Sequence, residues 1–109
     1  MSGARLDKWL WFARFARTRS LAAKLCTGGA VTVAGAVAEK PGQLVRVGDV
    51  VGIQQGRFAR RVIVLALGER RGPAAEARGL YSEPEPPLRL DGAERRAWVA
   101  LIDETSARE

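Results

Sequence analysis

Apolar residues recur with a helical spacing near the start of the chain. Leu6, Leu10 and Ala13 stand at i, i+4 and i+7, and this spacing predicts a helix over residues 6–16. Asp7 falls in the first turn of that helix, where a carboxylate interacts favourably with the positive end of the helix dipole. The first element is therefore predicted to be an amphipathic helix.

A second helix is predicted to follow directly, after a tight link around Arg17. Thr18 is a suitable N-cap and Gly28-Gly29 a suitable stop. Ser20 and Lys24 are four residues apart, and Arg17 precedes Ser20 by three, so the three side chains are expected to share one surface. The opposite, apolar face is predicted to carry Leu21, Ala22, Leu25 and Cys26.

From residue 30 the apolar period changes from 3.6 to two, which is typical of strands. Strands are predicted at residues 31–34, 44–47, 50–54 and 58–67, with turns between them at Gly35, Pro41-Gly42, Gly48-Asp49 and Gly56. Two short helices followed by short strands predict an α+β fold in which the helices pack on a small, mostly antiparallel sheet.

The rest of the chain is predicted to be mainly helical. Pro73 starts a short helix over residues 74–80, and the three prolines within residues 83–87 form a stiff linker. Asp91 caps an amphipathic C-terminal helix that carries Trp98, Leu101 and Ile102. With 109 residues in all, we expect one folded unit, divided into residues 1–67 and a helical extension over 68–109.

The charge of the chain is concentrated in its first half. Only three of the 18 cations are lysines, and the others are arginines, whose planar guanidinium group suits phosphate. Residues 1–61 hold eleven cations and three anions, a net charge of +8, whereas residues 62–109 hold seven cations and nine anions, a net charge of −2. A charged run is often only a solvated surface, but this segregation favours a nucleic-acid partner.

The absence of histidine excludes the common catalytic pairs and imidazole metal sites, so we expect no catalytic residues, no metal and no cofactor. The single Cys26 fits a reducing compartment and is expected to be a small buried residue. Apolar runs are too short to span a bilayer. We therefore expect a cytoplasmic protein without a membrane partner.

The aromatic cluster of the first helix has two interpretations. Four rings could form a platform for stacked bases, but they more often fill a core. Core packing is predicted for Trp9 and Phe12, and both interpretations stay open for Trp11 and Phe15. Asp7 and Asp49 have a helix-start and a turn explanation, which makes an acid–base pair unnecessary.

Five blocks in order identify a resemblance to a known RNA-binding domain. They are residues 5–10 (RLDKWL), 17–22 (RTRSLA), 29–35 (GAVTVAG), Pro41 and 47–49 (VGD). Over residues 5–54 the chain resembles the RNA-binding domain of small-subunit ribosomal protein four, the alpha-L motif. That resemblance implies two helices packed on a small sheet, with basic residues presented to structured RNA.

Within that superfamily the chain most resembles the heat-shock protein fifteen family. Residues 9–15 (WLWFARF), 69–77 (ERRGPAAEA) and Leu80-Tyr81 carry this likeness to about residue 83. It implies binding of ribosomal RNA on free large subunits that carry a stalled nascent chain, and hence ribosome rescue. Members carry a long basic C-terminal extension, whereas residues 91–109 here hold three arginines and five acids, so that contact is not carried over.

The main RNA-binding residues are expected on the two helices and the following loop. The set is Arg5, Lys8, Arg14, Arg17, Thr18, Arg19, Ser20, Lys24 and Lys40, with a secondary patch of Arg57, Arg60 and Arg61. We expect the chain to be a monomer. Its expected partner is large-subunit ribosomal RNA, with peptidyl-transfer RNA as a further candidate. Three alternatives stay open: a stress holdase acting through the C-terminal helix, a targeting module related to RNA-modifying enzymes, and DNA binding.

Overall fold

The computed structural model describes residues 3–89 of the chain. In this part the helices are α1 (Leu6–Phe12), α2 (Arg19–Thr27), α3 (Ala74–Ala77) and a 3-10 helix (Arg78–Leu80). The strands are β1 (Ala4–Arg5), β2 (Val31–Val33), β3 (Ala36–Val37), β4 (Leu44–Val45), β5 (Val50–Gln55), β6 (Phe58–Val64), β7 (Tyr81–Ser82) and β8 (Leu88–Arg89). The predicted α+β class is confirmed, and the predicted helix that starts at Asp91 lies outside the described residues.

The strands form one main sheet in the order β3-β2-β5-β6-β7, and every pairing is antiparallel. Strand β8 also pairs with β6, while β1 and β4 form a separate two-stranded ladder. The β5–β6 hairpin is the longest pairing, running from Val50 opposite Ile63 to Gln55 opposite Phe58. Gly56 turns it with a φ of 58°, a left-handed conformation that favours glycine.

Helix α1 is shorter than predicted, because the backbone leaves the helix after Phe12. Arg14 takes a left-handed φ of 65°, its amide donates to the Trp11 carbonyl, and the Phe15 amide donates to the Leu10 carbonyl. These are the two hydrogen bonds of a Schellman motif, with arginine in the position where glycine is usual. The predicted extension to residue 16 is wrong, since Phe15 turns back into the core instead.

Helix α2 begins and ends at the predicted residues. Thr18 is the N-cap, and its Oγ1 accepts a hydrogen bond from the Leu21 amide at 3.1 Å. Gly28 is the C-cap, its amide donates to the Lys24 carbonyl, and Gly29 follows with a φ of 77°. The cap and the stop each depend on residues within about one helical turn, so both could be predicted from the sequence.

The core lies between α1, α2 and one face of the sheet. Trp9 is fully buried, and its indole Nε1 donates to the Ala66 carbonyl at 2.9 Å, which satisfies the ring's polar atom. The core positions predicted for Trp9 and Phe12 are confirmed; Phe15 is also buried, and Trp11 is partly buried. Further core side chains are Leu6, Leu10, Val31, Val51, Ile53, Val62 and Val64.

The residues after β6 return to the same sheet. Strand β6 ends at Val64, and the amides of Leu65 and Ala66 both donate to the Leu80 carbonyl. The predicted helix over 74–80 is present as α3 followed by the 3-10 helix. Residues 83–87 contain neither helix nor strand and connect β7 to β8, both paired with β6. The boundary at residue 67 stays a prediction.

Candidate nucleic-acid interface

The start of α1 and the start of α2 are joined through one buried carboxylate. Asp7 accepts hydrogen bonds from Arg5 Nε at 3.1 Å and from Arg5 Nη2 at 3.2 Å, and Arg19 Nε lies 3.6 Å from Asp7 Oδ2. The Asp7 side chain is 6% exposed, whereas Arg5 and Arg19 are 50% and 43% exposed. Two half-exposed guanidinium groups therefore share one negative charge, and the cluster keeps a net positive charge.

The protonation of Asp7 reflects this arrangement. Burial by itself would raise the pKa of Asp7, but hydrogen bonds from Arg5 and from the Lys8 amide, and the charges of Arg5 and Arg19, outweigh burial and lower the pKa below its usual 3.8. Asp7 is therefore ionised at neutral pH, and it orients both arginines.

The loop before β4 lies against the same end of α1. The amides of Leu6 and Asp7 donate to the Gln43 and Pro41 carbonyls at 2.9 and 3.0 Å. These bonds satisfy two of the free amides at the helix start, where Arg5 provides no side-chain cap. The exposed Lys40 directly precedes Pro41, so its backbone lies near the start of α1.

Arg17 and Lys24 do not belong to the Asp7 cluster. They line a groove beside α2. The groove has a volume of about 450 Å³ and lies between α2 and the β5–β6 turn. Leu21 lines it as well and is 44% exposed, so its predicted place on the buried stripe is wrong. Arg17 and Lys24 share this surface as predicted, whereas the exposed Ser20 does not line the groove. Because Leu21 and Leu25 line the same groove, the predicted separation of these cations from the apolar face is wrong.

Two predicted contact residues have local structural roles. Thr18 Oγ1 already accepts the Leu21 amide, although the side chain remains exposed. Arg14 Nε donates to the Gly72 carbonyl at 2.8 Å. Arg71 reinforces that contact from the other side, since its Nε donates to the Trp11 carbonyl and its guanidinium carbon lies 5.9 Å from the Trp11 ring centroid. Arg14 and Arg71 thus hold the loop before α3 against the end of α1.

The secondary basic patch does not form a single surface. Arg60 makes a bidentate ion pair with Glu83, at 2.7 and 3.0 Å, and its guanidinium carbon lies 4.8 Å from the Phe15 ring centroid. Arg61 is exposed on the opposite face of β6, because successive side chains alternate along a strand. Arg57 is exposed at the β5–β6 turn. Grouping Arg60 with these two as one patch is therefore wrong.

Cys26 is a core residue, as predicted. Its side chain is fully buried on α2. Burial first, and then the negative charge of Asp7, raise the pKa of the thiol to about 11. The group is thus protonated at neutral pH, which fits a structural residue.

Sequence reasoning missed two features of this region. Asp7 was assigned only to the helix dipole, yet it also pairs with Arg19 on the next helix. Glu83 was assigned to a linker, yet it neutralises Arg60. The spacing of Arg5 and Asp7 by two residues signals only the contact between those two. Asp7 and Arg19, like Arg60 and Glu83, are too distant in sequence for spacing to signal their contact.

The architecture and the cationic helices define a class of small nucleic-acid-binding domains, and comparison with known proteins identifies that class. The S4 domain model matches residues 4–51, which cover β1 through the start of β5. The match includes the Asp7 cluster, α2 and the loop that contains Lys40. The resemblance to the domain of small-subunit ribosomal protein four is thereby confirmed.

Known proteins that match most of this chain identify its family within that class. Heat shock protein 15 of Escherichia coli strain K12 is 41% identical over 103 residues, covering 94% of this chain and 73% of the relative. The Aeromonas salmonicida homolog is 45% identical over 96 residues, covering 86% and 72%. The chain belongs to the heat shock protein 15 family.

A solved structure supports the same assignment. The Vibrio cholerae heat shock protein 15 structure superposes with a TM-score of 0.71 at 31% identity, and it covers 99% of this chain and 97% of that one. The Vibrio cholerae protein is described as a trimer, and the monomer expected for the present chain stays a prediction. Together, the domain and the relatives support an RNA-binding protein of the stress class.

Proposed function

We propose that this chain binds structured ribosomal RNA with the exposed cations of α1, α2 and the following loop. We call this set the helical cations: Arg5, Lys8, Arg17, Arg19, Lys24 and Lys40. The observation that carries the proposal is that Arg5 and Arg19 are half exposed and share the single carboxylate of Asp7. Guanidinium groups held in this way are pre-oriented and have free donors for phosphate oxygens.

Ser20 and Thr18 are the polar members of the proposed site. Both are exposed at the start of α2, where hydroxyl groups reach phosphate oxygens or 2′-hydroxyl groups. Recognition depends on RNA shape, because the major groove of an A-form helix is too narrow for side chains to read. Arg14 also belongs to the proposed site as an exposed cation, with its Nε donating to the neutral Gly72 carbonyl and its other guanidinium nitrogens left for phosphate.

The RNA that we propose is that of the large ribosomal subunit carrying a stalled nascent chain, and the process is ribosome rescue under stress. Membership of the heat shock protein 15 family supports this setting. We propose a cytoplasmic binding protein that uses no cofactor and catalyses no reaction. No helix within residues 3–89 is long and apolar enough to cross a bilayer.

A binding assay across salt concentration tests the proposed face. The probe is a labelled fragment of large-subunit ribosomal RNA, and the variants are Arg17→Ala and Lys24→Ala. If each cation contacts a phosphate, each variant lowers the salt-dependence slope by about one and weakens binding at every salt concentration. Arg61→Ala is the matched control, because Arg61 is an exposed cation on the sheet. Unchanged affinity and slope in both test variants would overturn the assignment.

Gradient sedimentation of a lysate tests the setting. The proposal expects the protein in the fractions of free large subunits, and a larger share of the Arg17→Ala variant than of wild type at the top of the gradient. Wild-type protein found only at the top would contradict the ribosomal setting while leaving RNA binding itself to the assay above.

A further inference from the structure

The groove beside α2 has the size and composition of a ligand site. Its volume of about 450 Å³ falls within the roughly 300–1,000 Å³ that is typical of small-molecule pockets. The floor and one wall are apolar, formed by Phe15, Ala16, Leu21, Leu25 and Ala30. Leu21 is 44% exposed there although it lies on an amphipathic helix, so the groove leaves apolar surface in contact with water.

The charges around the groove are all positive. Arg17, just before α2, and Lys24, on α2, both line it, and Arg57 follows the lining residue Gly56. No carboxylate lines the groove within residues 3–89, and neither Arg17 nor Lys24 has an ion-pair partner in that part of the chain. A ligand that fits must therefore combine an apolar ring or chain with negative charge.

Two glutamines complete the lining opposite α2. Gln55 Nε2 donates to the Phe15 carbonyl at 2.7 Å, so this side chain is fixed in place and forms part of the wall. Gln54 is partly exposed at the groove, and its backbone amide donates to the Ala30 carbonyl. The Gln54 side chain alternates with those of Ile53 and Gln55 along β5, so it lies on the opposite face of the sheet, and Gln54 lines the groove with its backbone.

We propose that this groove takes one unpaired nucleotide of the bound RNA. The base packs on Leu21 and Leu25, and Arg17 and Lys24 hold the flanking phosphates. Unpaired bases in loops and bulges are the parts of structured RNA that proteins read individually, because they can leave the helical stack. The inference rests on the proposed RNA binding and adds to it a preference for a bulged or looped base.

The test uses two RNA hairpins that differ at one position. Both carry a single-nucleotide bulge, which is an adenosine in one hairpin and an abasic residue in the other, so the phosphates are the same. Wild-type protein is expected to bind the adenosine hairpin about tenfold more tightly, a ratio in line with one stacked base. Leu21→Ser should abolish this preference and retain the affinity for the abasic hairpin.

Leu65→Ser is the matched control, since Leu65 is 51% exposed and does not line the groove. It should keep the tenfold preference. Equal wild-type affinity for the two hairpins would overturn the inference and leave RNA binding intact, whereas failure to bind either hairpin would contradict the proposed function itself. A change in oligomeric mass on Leu21→Ser, with the base preference unchanged, would assign the groove to a second copy of the chain and would also overturn the inference.

Discussion

Arg5 and Arg19 of the Asp7 cluster differ from Arg60 of the sheet in the number of carboxylates available to each arginine. At the Asp7 cluster, Arg5 and Arg19 share one carboxylate and are 50% and 43% exposed. On the sheet, Arg60 is the single ion-pair partner of Glu83 within residues 3–89, and the two side chains are 24% and 18% exposed. The Phe15 and Tyr81 rings also flank the Arg60 guanidinium, at 4.8 and 6.0 Å from ring centroid to guanidinium carbon.

The difference separates arginines that are available to bind a ligand from one that holds the fold together. A guanidinium with its own carboxylate and two aromatic neighbours has few donors left for phosphate. Where two guanidinium groups share one carboxylate, each arginine keeps free N–H donors and the cluster keeps a net positive charge. Counting cations along the sequence treats the two regions alike, whereas the number of carboxylates per cation and the exposure of each cation distinguish them.

Removing Arg60 should have the largest effect on stability. Arg60→Ala leaves the largely buried Glu83 without its partner and removes packing against Phe15 and Tyr81, so we expect a loss of about 2 kcal/mol in the free energy of unfolding. The affinity for RNA should stay within about twofold of wild type, because a paired cation contributes no phosphate contact. Urea unfolding and the RNA-binding assay measure the two quantities. A large loss of RNA affinity in a folded variant would contradict the distinction.

Neutralising Asp7 should have the next largest effect, and the effect should depend on pH. Asp7→Asn removes the charge that attracts Arg5 and Arg19, and we expect it to cost about 1–2 kcal/mol of unfolding free energy at pH 7. The pKa of Asp7 is lowered in the folded state, so its contribution is complete above the unfolded-state pKa near 3.8 and is lost as the pH falls through the folded-state pKa.

Unfolding experiments on wild type and Asp7→Asn between pH 7 and strongly acidic pH check this sign. The difference between the two proteins should be constant at neutral pH and shrink once the pH falls below about 4. A difference that grows on acidification would show that the cluster does not lower the pKa of Asp7.

Removing one arginine of the Asp7 cluster should have a smaller effect on stability than Asp7→Asn, because Arg19 still pairs with Asp7, and its main effect should be on binding. Arg5→Ala should weaken RNA binding by roughly three- to tenfold and lower the salt-dependence slope by about one, because one phosphate contact is lost. Arg5→Lys should recover part of the affinity, since lysine keeps the charge but not the guanidinium fork. An equal loss in both variants would assign the effect to guanidinium geometry rather than charge.

Arg61 should have the smallest effect of all. It is an exposed cation on the outer face of β6, and Arg61→Ala should change the free energy of unfolding by less than about 0.5 kcal/mol. Its effect on RNA affinity should be within about twofold across salt concentrations. A reduction in slope as large as that of Arg5→Ala would extend the RNA-binding surface to the sheet.

Local signals account for the parts of the fold that the sequence predicted well. The Thr18 cap and the Gly28 stop depend on residues within one turn of each other, and both were correct. The end of α1 was wrong because Ala13 and Ala16 are buried although the helix ends at Phe12, so the apolar spacing continues beyond the helix end. A Schellman motif with Arg14 in place of glycine removes the usual sequence signal for a helix end.

The candidate site was predicted in part for the same reason. The cations of α1 and α2 follow from charge counting and helical spacing, and Arg17 and Lys24 do line one surface. The partner of each cation is set by tertiary structure. Arg60 meets Glu83 only because β7 pairs with β6, and Arg14 meets Gly72 only because the loop before α3 returns to α1. The spacing of these residues along the sequence does not indicate such contacts.

The most direct test of the central claim is an NMR titration of the 15N-labelled protein with a large-subunit ribosomal RNA fragment. We predict that the amide shifts change most at Lys8, residues 18–24 and Lys40. The amides of Ile63 and Ser82, on the sheet, should remain unchanged. Shifts concentrated at Arg61, Ile63 and Ser82, with none at α2, would contradict the assignment of RNA binding to the helical cations.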